Sequence, residues 1–128
     1  MGRDKTEIVR DVYAAFKAGD QDKLRDLIAP DVIWHGNEGN PNFGGTMHSL
    51  QEFFDQAFKY VDILKEVEIV AEAILTDGNI AMSRQRDVIT RVDVTKATSM
   101  FNVYYEFNDE DQIKEVWEAT TSDWSAFP

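Results

Sequence analysis

The hydrophobic periods of this chain predict an α+β fold, with three N-terminal helices packed on a curved, mainly antiparallel sheet. Three observations carry that expectation. Up to Lys65 the apolar residues recur at helical spacing, and beyond it they alternate one by one. The alternating runs between residues 66 and 122 are rich in β-branched and aromatic side chains. Short turn signals such as Asp77-Gly78 join those runs as a meander.

Taken in order, Asp4-Lys5-Thr6-Glu7 is a capping arrangement, an acceptor followed three residues on by Glu. Ile8, Val9, Val12, Ala15 and Phe16 then follow at helical spacing, and Gly19 supplies a stop. Asp20 can cap a short second helix that turns Leu24, Leu27 and Ile28 inward and ends at Pro30. Val32-Ile33-Trp34-His35 is a short first strand, opening into the loop from Gly36 to Gly45, a surface segment of the kind that often carries function. Ser49-Leu50-Gln51-Glu52 is a capping box. The third helix after it places Leu50, Phe53, Phe54, Ala57, Phe58 and Val61 on one face, which makes a core stripe. Four strands follow. In the first, Val67, Ile69, Ala71, Ala73 and Leu75 share a face against Glu66, Glu68 and Glu72. The second runs from Ile80 to Ile89 and the third from Thr95 to Phe107. The last is Ile113 to Asp123, with Val116, Glu118 and Thr120 on one face and Glu115, Trp117 and Ala119 on the other.

A chain of 128 residues without internal repeats is read as a single domain spanning residues 1–128. The absence of cysteine excludes disulfides and thiolate chemistry. A net charge of −11 argues against nucleic acid or an anionic membrane as partner. No apolar run approaches the roughly 20 residues of a membrane span, and the first five residues do not lead into a signal-peptide core, so a cytoplasmic location is expected. The two histidines lack metal-ligand spacing and no glycine-rich phosphate loop is present, so neither metal nor cofactor is expected.

The candidate catalytic residues are Glu118, Asp87 and His35. A carboxylate between Val116 and Thr120 on a central strand either pairs with Arg84 or Arg86 across the sheet or enters a pocket. In a pocket, burial disfavours its charged form and makes it a proton carrier near neutral pH. Asp87 has the same two readings, surface ion pair or pocket acid. Alternation puts Gln85 and Asp87 on one face and Arg84 and Arg86 on the other, unless a bulge intervenes. His35 is either a general base or a hydrogen-bonded histidine at a strand end. The expected pocket lining is Val116 and Thr120 beside Glu118, then Phe101, Val103 and Tyr105 on the neighbouring strand, with Gln85 beyond them. Trp34 and, from the third helix, Phe54 complete it.

The order of elements resembles the nuclear transport factor 2-like superfamily, and within it the SnoaL-like polyketide cyclase group with its ketosteroid isomerase and limonene-epoxide hydrolase relatives. The residues that carry the likeness are Phe16 to Asp20, Leu27 to Trp34, Phe43-Gly44-Gly45-Thr46 leading into Phe53-Phe54, and Ile113 to Glu118. The resemblance implies a cone-shaped α+β barrel with a deep apolar pocket, usually a homodimer formed through the open sheet face. In cyclases and epoxide hydrolases of this kind an acid/base carboxylate occupies the last strand, and Glu118 matches it. The Arg-x-Asp of the hydrolases reads Gln85-Arg86-Asp87 here, so the aspartate matches and the arginine does not. The tyrosine and two aspartates of ketosteroid isomerases align with Val12, Gly36 and Val103, and none is retained. The implied function is a small enzyme using carboxylate acid/base chemistry, as cyclase, isomerase or hydrolase, on a hydrophobic oxygenated small molecule. The alternative is a non-catalytic binding or dimerisation module of the same fold.

Overall fold

Each helix starts where its capping residue stands. In the computed structural model, which describes residues 3–36, 45–59 and 61–122, Asp4 accepts from the Thr6 amide and starts α1, Lys5–Ala18. Gly19 ends that helix at φ 67°, a left-handed conformation that costs a glycine little. Asp20 accepts from the Lys23 amide and starts α2, Gln21–Leu27. Ser49 accepts from the Glu52 amide at the start of α3, Leu50–Ala57, while the Glu52 carboxylate reaches back to the His48 amide. The third helix is shorter than its apolar stripe predicts; the chain continues through a 3₁₀ turn at Val61–Ile63 into the sheet.

The strands are β1 (Ile28–His35), β2 (Thr46–Met47), β3 (Leu64–Asp77), β4 (Ile80–Arg91), β5 (Lys96–Phe107) and β6 (Ile113–Ser122). They form one six-stranded sheet in the order β2-β1-β6-β5-β4-β3. The meander from β3 to β6 is antiparallel throughout, and β1 joins it parallel to β6. The α+β class, the three helices and the mainly antiparallel sheet are as expected. The described strands do not close a barrel, because β2 and β3 stand at opposite edges of the sheet and do not pair with each other. Pro30 also departs from expectation. It lies inside β1 rather than ending α2, in the interval between Ile28 and Ile33 where the register with β6 slips. A proline cannot donate to the ladder, and such an irregularity is where a strand accommodates one. The loop from Gly36 to Gly45 lies almost wholly outside the described residues.

The core forms between the helices and one end of the inner sheet face. Ile8, Val9 and Val12 of α1, Leu24 and Leu27 of α2, and Leu50 of α3 pack against Ala81, Tyr105, Phe107, Ile113 and Val116. Beyond that end the helices and sheet diverge, and the inner face of Gln85, Asp87, Ser99 and Phe101 borders a cavity.

Strand β3 holds the largest correction to simple alternation. Ala71 pairs with Gln85 and Ala73 with Arg84, so Glu72 is an extra residue, a β-bulge. Past the bulge the faces exchange. Ile74 packs on the core, whereas Leu75, expected on the inner face, is 72% exposed on the outer one, with Ala73 beside it. Ile74→Ala should therefore cost about 2 kcal/mol of folding stability in urea melts. Leu75→Ala should change the folding of the chain by no more than about 0.5 kcal/mol.

Candidate active site

Parallel pairing with β6 sets Trp34 opposite Val116, two residues from Glu118 on the same face. The Trp34 indole N–H donates to Glu118 Oε1 at 2.5 Å. The indole is fixed by its neighbours: Phe53 stacks on it at 3.9 Å between centroids, and Phe16 meets it edge-on at 6.5 Å. Aromatic pairs of this kind contribute about 0.5–1.5 kcal/mol each beyond their buried area. The donor is thus held in place before any ligand arrives.

The cavity in front of these groups has a volume of about 550 Å³. Its walls are mostly apolar: Phe16 of α1, Phe53, Ala57 and Phe58 at α3, Val67 and Ile69 of β3, and Ile89 and Phe101 of the sheet. Glu118 and Asp87 both line it. Glu118 also borders the shallow groove on the outer sheet face, and is therefore only partly buried as a residue. Burial pushes the Glu118 carboxyl up to about 7; the Trp34 hydrogen bond opposes this, and the negative charge of Asp87 adds to it. Burial likewise pushes Asp87 up to about 6, against the Gln85 side-chain amide, which donates to its Oδ1 at 2.7 Å. No arginine offsets these shifts. Arg84 and Arg86 point to the opposite face, where both lie 3.5–3.6 Å from Glu72.

Between the cavity and the filled core lies a hydroxyl chain. Tyr13 donates to Ser83 Oγ at 2.9 Å, and Tyr105 shares a 2.9 Å bond with the Tyr13 hydroxyl. Burial raises both phenols, Tyr13 to about 12, so both stay protonated. Tyr13 is absent from the sequence-derived candidates. Its position four residues after Val9 and three before Phe16 marks it as inward-facing, and a tyrosine there needs a buried polar partner.

The structure brings Glu118, Asp87, Gln85, Trp34, Phe101 and Tyr105 together around the cavity. His35 is not among them. It alternates with Trp34 onto the outer face, where Nε2 lies 2.7 Å from Glu115 Oε2 and the ring stacks on Trp117. Val103 and Val116 also differ from expectation, being part of the filled core; Val103 sits between Ser83 and Glu118 in the row that Tyr13 bonds to, and Val116 lies one pair further in. Phe54 faces away, with Phe58 against it and the Arg25 guanidinium 5.2 Å over its ring; a helix turns about 100° per residue, and Phe53 takes its place. The Thr120 side chain lies outside what the structure describes.

A family model described as a SnoaL-like domain matches residues 9–121. No curated protein matches the sequence. Solved structures share the fold at low identity. An NTF2-like protein of unknown function from Burkholderia pseudomallei is 20% identical, with 98% of this chain and 95% of that one covered at a TM-score of 0.79. IdmH from Streptomyces antibioticus, a candidate polyketide cyclase, is 18% identical over 92% of both chains, with a TM-score of 0.78. TerC, co-crystallised with polyporic acid, is 18% identical over 91% of both chains, also at 0.78.

A buried carboxyl with a raised pKa leaves a stability signature. The folded state holds the Glu118 proton more tightly than the unfolded chain, whose value is near 4.5. The associated stability is complete below pH 4.5 and is lost as pH rises through 7. Glu118→Gln removes that loss. It should be more stable than the parent by up to about 3 kcal/mol at pH 8, with no such gain at pH 4.5, in urea titrations at the two pH values.

Proposed function

The chain belongs to the SnoaL-like domain family, and from that premise we propose that it is a cofactor-independent enzyme of the cyclase or isomerase type. Its substrate is a hydrophobic, oxygenated small molecule. The observation that carries this reading is a pair of carboxyls in one apolar cavity, pushed to about 7 and about 6. Near neutral pH Asp87 is mostly ionised and Glu118 is about half protonated, so one site offers a base and an acid together.

Asp87 takes a proton from carbon next to a substrate carbonyl, and Glu118 gives one to the carbonyl oxygen as charge builds there. The Trp34 N–H then stabilises the Glu118 carboxylate that is left. Apolar walls keep the substrate's reactive enol from water. A hydrolase reading is less well supported, because Arg84 and Arg86 face away and supply no cation to a water-activating set. A ligand in TerC, a structural relative, is consistent with small-molecule binding in this fold.

The outer sheet face is proposed as the interface of a homodimer. Leu75, Met82 and Trp117 are exposed there, around a shallow groove that Tyr104 and Ala119 also line. Light scattering at micromolar concentration should give twice 14.7 kDa; the single mass would remove that proposal. No described helix is long and apolar enough to cross a membrane.

The catalytic proposal is tested with 2-tetralone in D₂O, following exchange of its acidic C–H protons by NMR. Exchange should require ionised Asp87 and protonated Glu118, giving a bell-shaped rate with limbs near 6 and 7. Glu118→Gln should bind the ketone as the parent does and lose about a hundredfold in rate. Binding without exchange in the parent would favour the non-catalytic binding module instead.

A further inference from the structure

Ser99 stands out among the buried polar side chains. It is 2% exposed and borders the cavity, yet its Oγ has no hydrogen-bond partner among the described residues. Ser83, equally buried, is bonded to Tyr13. A hydroxyl enclosed without a partner is costly, and such groups are seldom left so.

Its surroundings are specific. Antiparallel register sets Ser99 directly opposite Asp87, so the two side chains start about 5 Å apart on the same face. Asp87 in turn accepts from Gln85 and makes no other side-chain hydrogen bond among the described residues. Ile69 flanks Asp87 from β3, and Phe101 stands two residues along from Ser99. The outcome is a small polar patch in an apolar wall, separate from the Trp34–Glu118 pair, which lies at a different row of the sheet.

We propose that Ser99, Asp87 and Gln85 form a recognition subsite for a ligand hydroxyl, so that the cavity selects apolar ring compounds carrying that group. A hydroxyl both donates and accepts, and the patch offers the complement. The Ser99 hydroxyl, enclosed until then, turns on its side-chain torsion to donate to the ligand oxygen, and the Asp87 carboxylate accepts the ligand's proton in a hydrogen bond. The Gln85 amide holds that carboxylate in place. A ligand lacking the hydroxyl leaves both groups unpaired, which is the strongest form of discrimination a buried site has. The inference rests on the cavity being a small-molecule site, but not on catalysis.

The test compares 2-naphthol with naphthalene as probes, by calorimetry or by quenching of tryptophan fluorescence at pH 7.5. The parent protein should bind 2-naphthol about tenfold more tightly than naphthalene. Ser99→Ala should reduce that preference to threefold or less, while its affinity for naphthalene stays within about twofold. Its melting temperature without ligand should not fall by more than about 2 °C, because Oγ bonds to none of the described residues. An undiminished preference in Ser99→Ala would overturn the subsite and leave the cavity reading standing. A marked fall in melting temperature would assign the hydroxyl to the fold, and would overturn it too. Failure of both probes to bind the parent would remove the cavity reading and the subsite with it.

Discussion

The parallel pairing of β1 with β6 is the constraint on which the rest of the site depends. Among the described strands it is the one parallel contact in an otherwise antiparallel sheet, and it carries Trp34 from the N-terminal half to the side of the last strand. Without it the indole could not reach Glu118. Phe53 and Phe16 then wedge the ring from α3 and α1, so two of the helices and the sheet converge on one hydrogen bond. That bond gives the carboxyl an anion-stabilising partner in surroundings that otherwise favour its neutral form.

Side-chain alternation does the rest by sorting charge. On β4 the arginines face outward to Glu72 while Gln85 and Asp87 face inward, so neither arginine stands beside the two carboxyls, although Lys17 and Lys65 also border the cavity. Had the register of β4 slipped by one residue, the arginines would lie inside and both carboxyls would be ordinary ion-pair partners. The bulge at Glu72 serves the same arrangement. It lets β3 follow the cavity with Val67 and Ile69, then restore Ile74 to the core where the helices close down. The bulged residue itself provides the carboxylate that both arginines approach.

Much of this is legible in the sequence because it depends on short periods. The switch at Lys65, the caps at Asp4, Asp20 and Ser49, and the alternating faces of β4, β5 and β6 follow from local chemistry, whereas alternation alone leaves Glu118 and Asp87 open between a pocket and a surface ion pair. What was not legible depends on register and on how far elements diverge. Alternation alone places His35 opposite to Trp34, but only the partner strand reveals that it meets Glu115 and Trp117 on the outer face. The bulge at Glu72 has no glycine or proline to mark it, so Leu75 looks as inward as Val67. Val103 and Val116 share the correct face with Phe101 and Glu118, yet the helices cover one end of that face and leave the other open. Phe54 and Phe53 are both apolar on a short amphipathic helix, and the crossing of that helix over β1 decides which of them meets Trp34.

The most direct measurement is an NMR titration of the Glu118 side-chain carboxyl, carbon-13 labelled, between pH 3 and pH 9. A midpoint near 7 is expected, moving higher in Trp34→Phe, since the indole hydrogen bond favours the anion. A midpoint near the ordinary 4.5 would mean that the carboxyl meets bulk water, and would contradict the buried acid at the centre of the site.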